Sequence, residues 1–273
     1  MKKCILCNSD KYKTLLQGKN WQIVKCNKCE LVKTERNIEN ASYDFYHRDE
    51  TYKKLESHFK NIFQTRVNLA KKHIETPGKV LDVGCSNGTM LDIFKSDGWE
   101  TWGVEPSENA EIAIDKGHKV FQTLFEKVNF TGKFNIIIMN HTLEHLEDPL
   151  SVVKKAYSLL EKDGILLVDV PNFDSLSSRL MGKYWPHLLP LEHNFQFTRK
   201  TLEKTFEKVG FSIVDYKTRS GIFEFANPVQ EVKESLFGMK KRFISRVINF
   251  PYDILAMLLN RGDSMSVVGR RVK

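Results

Sequence analysis

Val80-Leu81-Asp82-Val83-Gly84-Cys85-Ser86-Asn87-Gly88-Thr89-Met90 is the stretch on which the fold of this 273-residue chain turns. Three aliphatic residues around Asp82 read as a short buried strand, and a helical pattern begins at Thr89. The loop between them carries glycines at 84 and 88, so backbone can come close to a ligand at the carboxyl edge of the strand. Such a loop closes many strand-to-helix turns and is a weak signal alone. Glu105 strengthens it, because this acid follows the next apolar run, Thr101 to Val104, and stands 23 residues after Asp82. A carboxylate there is placed to accept both hydroxyls of a ribose.

Outward from this motif, short apolar runs alternate with helical patterns. Apolar residues from Phe59 to Ile74 recur at helical spacing, with Ser57 as N-cap and Pro77-Gly78 as stop. Beyond the motif come a helix at Glu108 to Lys116, a strand at Lys119 to Phe121 and a continuous apolar strand at Phe134 to Met139. Asp148 caps a helix whose first residue is Pro149, where a missing amide costs nothing, and Gly164 ends it. Strands at Ile165 to Val170, Phe211 to Tyr216 and Met265 to Val272, with a helix at Thr198 to Val209, complete the series. Near-continuous apolar strands alternating with helices predict an α/β fold, a doubly wound and mostly parallel seven-stranded sheet covered on both faces.

Four of the five cysteines lie near the start in two CxxC pairs, Cys4/Cys7 and Cys26/Cys29, 18 residues apart. That spacing predicts a zinc ribbon with a structural metal held by four thiolates, which leaves no open position for catalysis. Cys85 reads as a small buried side chain. The expected organisation is a ribbon over residues 1–36, a helical lead-in over 37–78 and a main domain over 79–273, with a helical insertion at about 228–262. No run approaches the roughly 18 apolar residues of a membrane span, and the start lacks the apolar core of a signal peptide, so a reduced, cytoplasmic setting is expected. The net charge of +8 sits at the ends, each +6 over residues 1–36 and 239–273, around a middle of −4. A continuous phosphate-binding face is therefore not expected.

Asp82 to Gly88 followed by Val104-Glu105-Pro106 resembles the first two motifs of class I S-adenosylmethionine-dependent methyltransferases, while the dinucleotide fingerprint GxGxxG is absent. The segment His141-Thr142-Leu143-Glu144-His145 through Asp148-Pro149, and Leu160 through Gly164 to Val168, are similar to later motifs of that superfamily. Val170-Pro171-Asn172, His193, Phe195 to Thr198 and Val209-Gly210-Phe211 resemble its small-molecule group. The likeness spans roughly Tyr52 to Lys273, and its motifs occur in the family's order. It implies that Asp82 and Gly84, with Cys85 and Ser86, hold the methionine end of the cofactor. Glu105, followed by Pro106, would hold the ribose, and Gly88 would let the helix start beneath the cofactor. Ser86 departs from the glycine common in relatives. Gln122, Thr123 and Leu124 stand where relatives place an acid near adenine, which leaves adenine to backbone amides and apolar packing around Leu124.

The same resemblance puts Asn140, His141, Glu144 and His145 beside the methyl group, with His193 returning on a later loop. Two chemistries suit them. A neutral His145 or His193 can accept a proton from a hydroxyl as the methyl transfers. Alternatively, His141, Glu144, His145 and His193 bind a second divalent cation that acidifies the acceptor. Small-RNA 2′-O-methyltransferases are similar in their metal ligands, yet this chain has His141 where their first Glu would stand. Sugar C-methyltransferases also resemble it in an N-terminal zinc module, and continue into a further domain expected to be missing here.

Tyr43, Phe45, Tyr46, Tyr52, Tyr184, Trp185 and Phe195 suit a pocket for a sugar or aromatic ring as well as ordinary core. Phe243 to Leu259, broken at Pro251, reads as an amphipathic helix pair for dimer contact, a lid, or a membrane bearing a lipid-linked substrate. The expectation that follows is methyl transfer to an oxygen, ahead of nitrogen or carbon, of a small metabolite or sugar. The acting form would be a monomer or homodimer whose membrane contact is at most peripheral. An RNA methyltransferase gripping its substrate through the ribbon, and a non-catalytic cofactor- or partner-binding module, are the alternatives.

Overall fold

The computed structural model describes residues 3–36, 55–238 and 240–272. Its main sheet contains β4 (Lys79–Val83), β5 (Glu100–Val104), β6 (Lys119–Phe121), β7 (Phe134–Asn140), β8 (Leu160–Pro171), β10 (Phe211–Arg219) and β11 (Ser264–Arg271). The spatial order is β10-β11-β8-β7-β4-β5-β6, and only β11 runs against its neighbours. Side chains alternate across this sheet. Leu81, Ile137, Leu166 and Val168 pack with Phe197, Leu202 and Phe206 on one face. Val80, Ile136, Ile138 and Leu167 pack on the other with Val67, Leu91 and Phe94. Both faces are covered, which is why the strands are apolar throughout. Strand order reverses beside β4, with β5 on one side and β7 on the other, so a crevice opens at the carboxyl end of β4.

The helices are α1 (Glu56–Lys71), α2 (Thr89–Ser96), α3 (Asn109–Asp115), α4 (Pro149–Leu159), α5 (Leu176–Met181), α6 (Arg199–Val209), α7 (Pro228–Gly238) and α8 (Lys240–Leu258). The Asp148 carboxylate accepts from the Ser151 amide at 3.1 Å, as the Asp-Pro start requires. Three expectations need correction. Helix α1 starts at Glu56 without a side-chain cap and ends at Lys71, well before Pro77; Ser57 instead donates to Glu234 at 3.3 Å. Helix α4 ends at Leu159, and Gly164 lies inside β8, where an added Cβ would stand 3.1 Å from the Asn135 carbonyl oxygen. That glycine serves close backbone approach rather than a helix stop. Helix α8 runs through Pro251 without a break. The proline ring is exposed, and Asp253 two residues on is anchored to the Ile222 amide at 3.2 Å.

The amino-terminal segment forms β1 (Tyr12–Gln17), β2 (Trp21–Cys26) and β3 (Val32–Arg36), an antiparallel sheet that continues into β9 (Phe195–Gln196). Val32 pairs with Gln196, the Thr34 amide donates to the Asn194 carbonyl at 2.8 Å, and Arg36 Nε donates to the Pro190 carbonyl at 2.7 Å. Cys4, Leu6 and Leu31 join the same core as Phe195, Phe197 and Phe206. The ribbon thus holds, by its third strand, the loop that carries His193. Of the aromatic residues singled out, Tyr43, Phe45, Tyr46 and Tyr52 lie outside the described residues, Trp185 and Phe195 are buried, and Tyr184 is exposed.

Candidate active site

The crevice at the end of β4 is lined by Phe63, Asp82, Gly84, Cys85, Ser86, Asn87, Met90 and Asn140. Gly84 and Ser86 both have positive φ, 83° and 45°, so the chain turns sharply and shows its backbone to the crevice. A Cβ on Gly84 would stand 2.5 Å from Thr142 Oγ1, which itself donates to the Val83 carbonyl. Glu105 clamps the far side: one carboxylate oxygen accepts from the Ser86 amide and the other from the Ser107 amide, both at 2.9 Å. Asp82 is 3% exposed, and its Oδ1 has no hydrogen-bond partner; neither does Asn140 Oδ1. Burial, and then the charge of Glu105, push the Asp82 carboxyl up to about 7.

Of the predicted cofactor residues, Asp82, Gly84, Cys85, Ser86 and Asn140 line this crevice, and Glu105 reaches it through Ser86. Gly88 faces elsewhere, since its Cβ position lies 2.8 Å from His118 Cδ2 and 3.0 Å from Ala113 Cβ, between α2 and α3. The Cys85 thiol packs against Gly103, and burial pushes it well above the ordinary thiol range. Pro106 is exposed, and Leu124 is half-buried before a short turn at Phe125–Lys127. Phe63, Asn87 and Met90 join the lining without having been singled out. Phe63 reads in sequence as one more residue of an apolar helix face, and Asn87 as a loop residue; its Oδ1 accepts from the Thr89 amide at 3.2 Å, just ahead of α2.

Beyond Asn140, the chain passes through His141 at a φ of 52°. A non-glycine residue there carries about 1 kcal/mol of strain. This turn brings His141 Nδ1 within 3.3 Å of a Glu144 oxygen and Nε2 within 3.7 Å of Asp169. Burial lowers the His141 pKa, but contact with the Glu144 carboxylate outweighs it and the net shift is upward. Glu144 is 1% exposed, and neither of its oxygens has a hydrogen-bond partner that meets full geometry. His145 Nδ1 lies 3.3 Å from the Glu192 carbonyl oxygen, which can only accept, so that nitrogen carries the proton and Nε2 faces Glu144 at 4.0 Å. The His145 and His193 rings meet edge to face at 4.6 Å. Burial lowers both, His193 to about 3. One ligand atom each from Glu144, His145 and His193 lies within 4.8 Å of the others, and His141 is not part of that trio.

Behind this cluster, Asp169 pairs with Arg66 at 3.1 Å and Arg219 at 3.3 Å, while Arg66 also meets Glu224 at 2.6 Å. All but Glu224 are buried, and the two arginines outweigh burial to keep the Asp169 carboxyl below its ordinary range.

In the ribbon, Cys4 Sγ lies 3.3 Å from Cys29 Sγ and Cys7 Sγ 3.5 Å from Cys26 Sγ, with all four within 4.8 Å of one another and none in a disulfide. Two pairs of thiols at those separations fit the corners of a small tetrahedron.

A family model described as a methyltransferase domain matches residues 55–216. The chain is 36% identical to a ubiquinone biosynthesis O-methyltransferase of Haemophilus ducreyi over 41% of its own length and 51% of that protein's. It is 26% identical to the C-methyltransferase NovU of Streptomyces niveus over 72% of its own length and 47% of that protein's. The chain thus spans about half the length of these curated relatives. Among solved structures, an S-adenosylmethionine-dependent methyltransferase from Thermotoga maritima superposes with a TM-score of 0.56 at 20% identity, covering 85% of this chain and 100% of that one. Magnesium protoporphyrin IX methyltransferase from Synechocystis, solved with S-adenosylhomocysteine, gives 0.54 at 16% identity over 81% and 87%. A matched domain spanning more than half of the sequence, on a sheet in which β11 alone is reversed, makes this chain a member of the class I S-adenosylmethionine-dependent methyltransferase family.

Proposed function

We propose that this chain transfers the methyl group of S-adenosylmethionine to an oxygen of a small metabolite. The observation that carries this reading is the pair of buried acceptors without donors, Asp82 Oδ1 and Asn140 Oδ1, at the mouth of β4. A crevice supplied with acceptors suits a ligand rich in donors and positive charge, and the cofactor brings an ammonium group, a sulfonium and ribose hydroxyls. The bound cofactor supplies an electrophilic methyl group. Asp82 would take the ammonium end, Gly84 and Ser86 would lie along the chain of the methionine, and Glu105 would accept from the ribose. Rate enhancement would come mostly from holding the acceptor in line with the methyl group. His141, half-exposed with Nδ1 toward Glu144 and Nε2 toward Asp169, is the proton acceptor of this reading, whereas His193 is too acidic to hold a proton near neutrality.

A second reading rests on the convergence of Glu144, His145 and His193, a carboxylate and two imidazoles of the kind that hold a divalent cation. Such an ion would lower the pKa of an acceptor hydroxyl. Sugars and lipid-linked sugars are acceptors of the right chemistry for either reading. For the ribbon, we read zinc as the structural metal, held by Cys4, Cys7, Cys26 and Cys29.

The test is calorimetric titration with S-adenosylhomocysteine, followed by a search of cell extract for species gaining a labelled methyl group, with and without chelator. Saturable cofactor binding and chelator-resistant labelling support His141 as base. Labelling lost to chelator and restored by a divalent ion supports the cation. Absence of cofactor binding at saturating concentration refutes the proposal.

A further inference from the structure

The helical pair α7 and α8 is built inside out. A helix on a globular protein normally turns its apolar stripe to the core. In α8 the inward positions are Phe243, Arg246, Tyr252, Asp253, Ala256 and Met257, and two of them are charged. Asp253 is 2% exposed and accepts from the Ile222 amide, and Arg246 reaches across to the fully buried Glu231 of α7 at 3.4 Å. Five other apolar residues point away. Ile244, Val247, Ile248, Leu255 and Leu258 follow one another at spacings of three, one, seven and three, and Ile248 and Leu258 are 70% and 79% exposed. Phe237, at the end of α7, is 85% exposed. An apolar stripe four turns long is far more than a monomer's surface ordinarily shows.

Charge decides what covers it. The junction of the two helices carries Lys233 and Lys241, both exposed. The acids of these helices are turned away: Asp253 and Glu231 are buried, and Glu234 is half-buried in hydrogen bonds to Ser57 and Gln230. A stripe of this kind with basic residues and no exposed carboxylate is complementary to an anionic surface. A second copy would bring the same positive charge to the contact and no exposed carboxylate from these helices. We propose that α7 and α8 lie in the plane of an anionic lipid bilayer, with the outward stripe at the acyl boundary and the basic residues at the headgroups. Among the described residues no helix is long and apolar enough to cross a membrane, so the contact is a surface one.

The contact is also tied to the crevice. Glu231 is bonded to His58 at 3.0 Å, and Asn61 Nδ2 to the Asn227 carbonyl at 2.9 Å, so α7 rests on α1, the helix that contributes Phe63 to the crevice lining.

The experiment is flotation of the full chain with vesicles of phosphatidylcholine alone or mixed with phosphatidylglycerol, at low and high salt. We expect flotation with the mixed vesicles only, weakened by salt. Ile248→Glu with Leu258→Glu should lower lipid affinity at least about tenfold, and Lys233→Glu with Lys241→Glu at least about fivefold. Both pairs replace residues outside the core, and an unchanged melting temperature checks that the variants fold. Hydrogen exchange supplies a second measure, with amides of 244–258 slowing on addition of mixed vesicles. Failure to float with mixed vesicles overturns the proposal. So does equal flotation of the Ile248→Glu/Leu258→Glu variant, or a solution dimer that this variant dissociates.

Discussion

At the scale of single residues, the unusual group is Asp82, a carboxyl that burial, then Glu105, keeps protonated to about pH 7. Unfolded, it would ionise near pH 4. Between those values the folded state binds the extra proton, so this residue's contribution to stability falls as pH rises through that window. A bound ammonium group reverses the preference by favouring the carboxylate. Affinity for S-adenosylhomocysteine should therefore climb between pH 6 and 8 with release of a proton, which calorimetry in buffers of different ionisation heat detects. Asp82→Asn should lose both the affinity and the pH dependence. Glu105→Ala removes the acceptor of the Ser86 and Ser107 amides as well as the proposed ribose partner. Its cofactor affinity should fall by about 2–3 kcal/mol, measured by the same titration, and an unchanged value would remove Glu105 from the site.

At the scale of elements, the ribbon matters through β3, which hydrogen-bonds to β9 and to Asn194, the neighbour of His193. Cys26→Ser should release the zinc proposed for the ribbon and, through that strand, loosen the loop from Pro190 to Gln196. Faster amide exchange in that loop, read by mass spectrometry beside the zinc content, is the expected result. Loss of zinc with unchanged exchange would show that the ribbon stands apart from the site. The sequence makes the two CxxC pairs legible because a metal knuckle is a local pattern. It does not reveal that β9 completes the ribbon's sheet, since a strand two residues long carries no periodicity. For the same reason Gly164 reads as a helix stop although it lies within β8: glycine signals both a left-handed turn and close backbone approach, and only the neighbours tell them apart.

At the scale of the whole molecule, the group that ties the parts together is Asp169, which joins α1 through Arg66 and β10 through Arg219 while lying 3.7 Å from His141. Removing one member of a buried ion network leaves uncompensated charge. Asp169→Asn should cost about 3–5 kcal/mol in urea unfolding, against less than about 0.5 for a control at exposed Asp97. Because the folded Asp169 pKa is depressed, its stabilisation is fully present above the ordinary carboxylate range and is lost as pH falls below it. The wild type should therefore lose stability on acidification more steeply than Asp169→Asn.

By itself the sequence determines the alternation of strands and helices, the glycine loop after β4, the acid after β5 and the paired cysteines, because each is written in neighbouring residues. Tertiary structure alone decides which distant groups converge. Arg66 and Asp169, 103 residues apart, meet in the interior, and Glu144 gathers His141, His145 and His193 around it. It also decides which way α8 faces. The spacing of Ile244, Val247, Ile248, Leu255 and Leu258 defines a stripe, but a stripe looks the same whether it is turned to the core or away. Here the polar side is pinned inward by Asp253 and Arg246, and the apolar side is left for solvent or a partner.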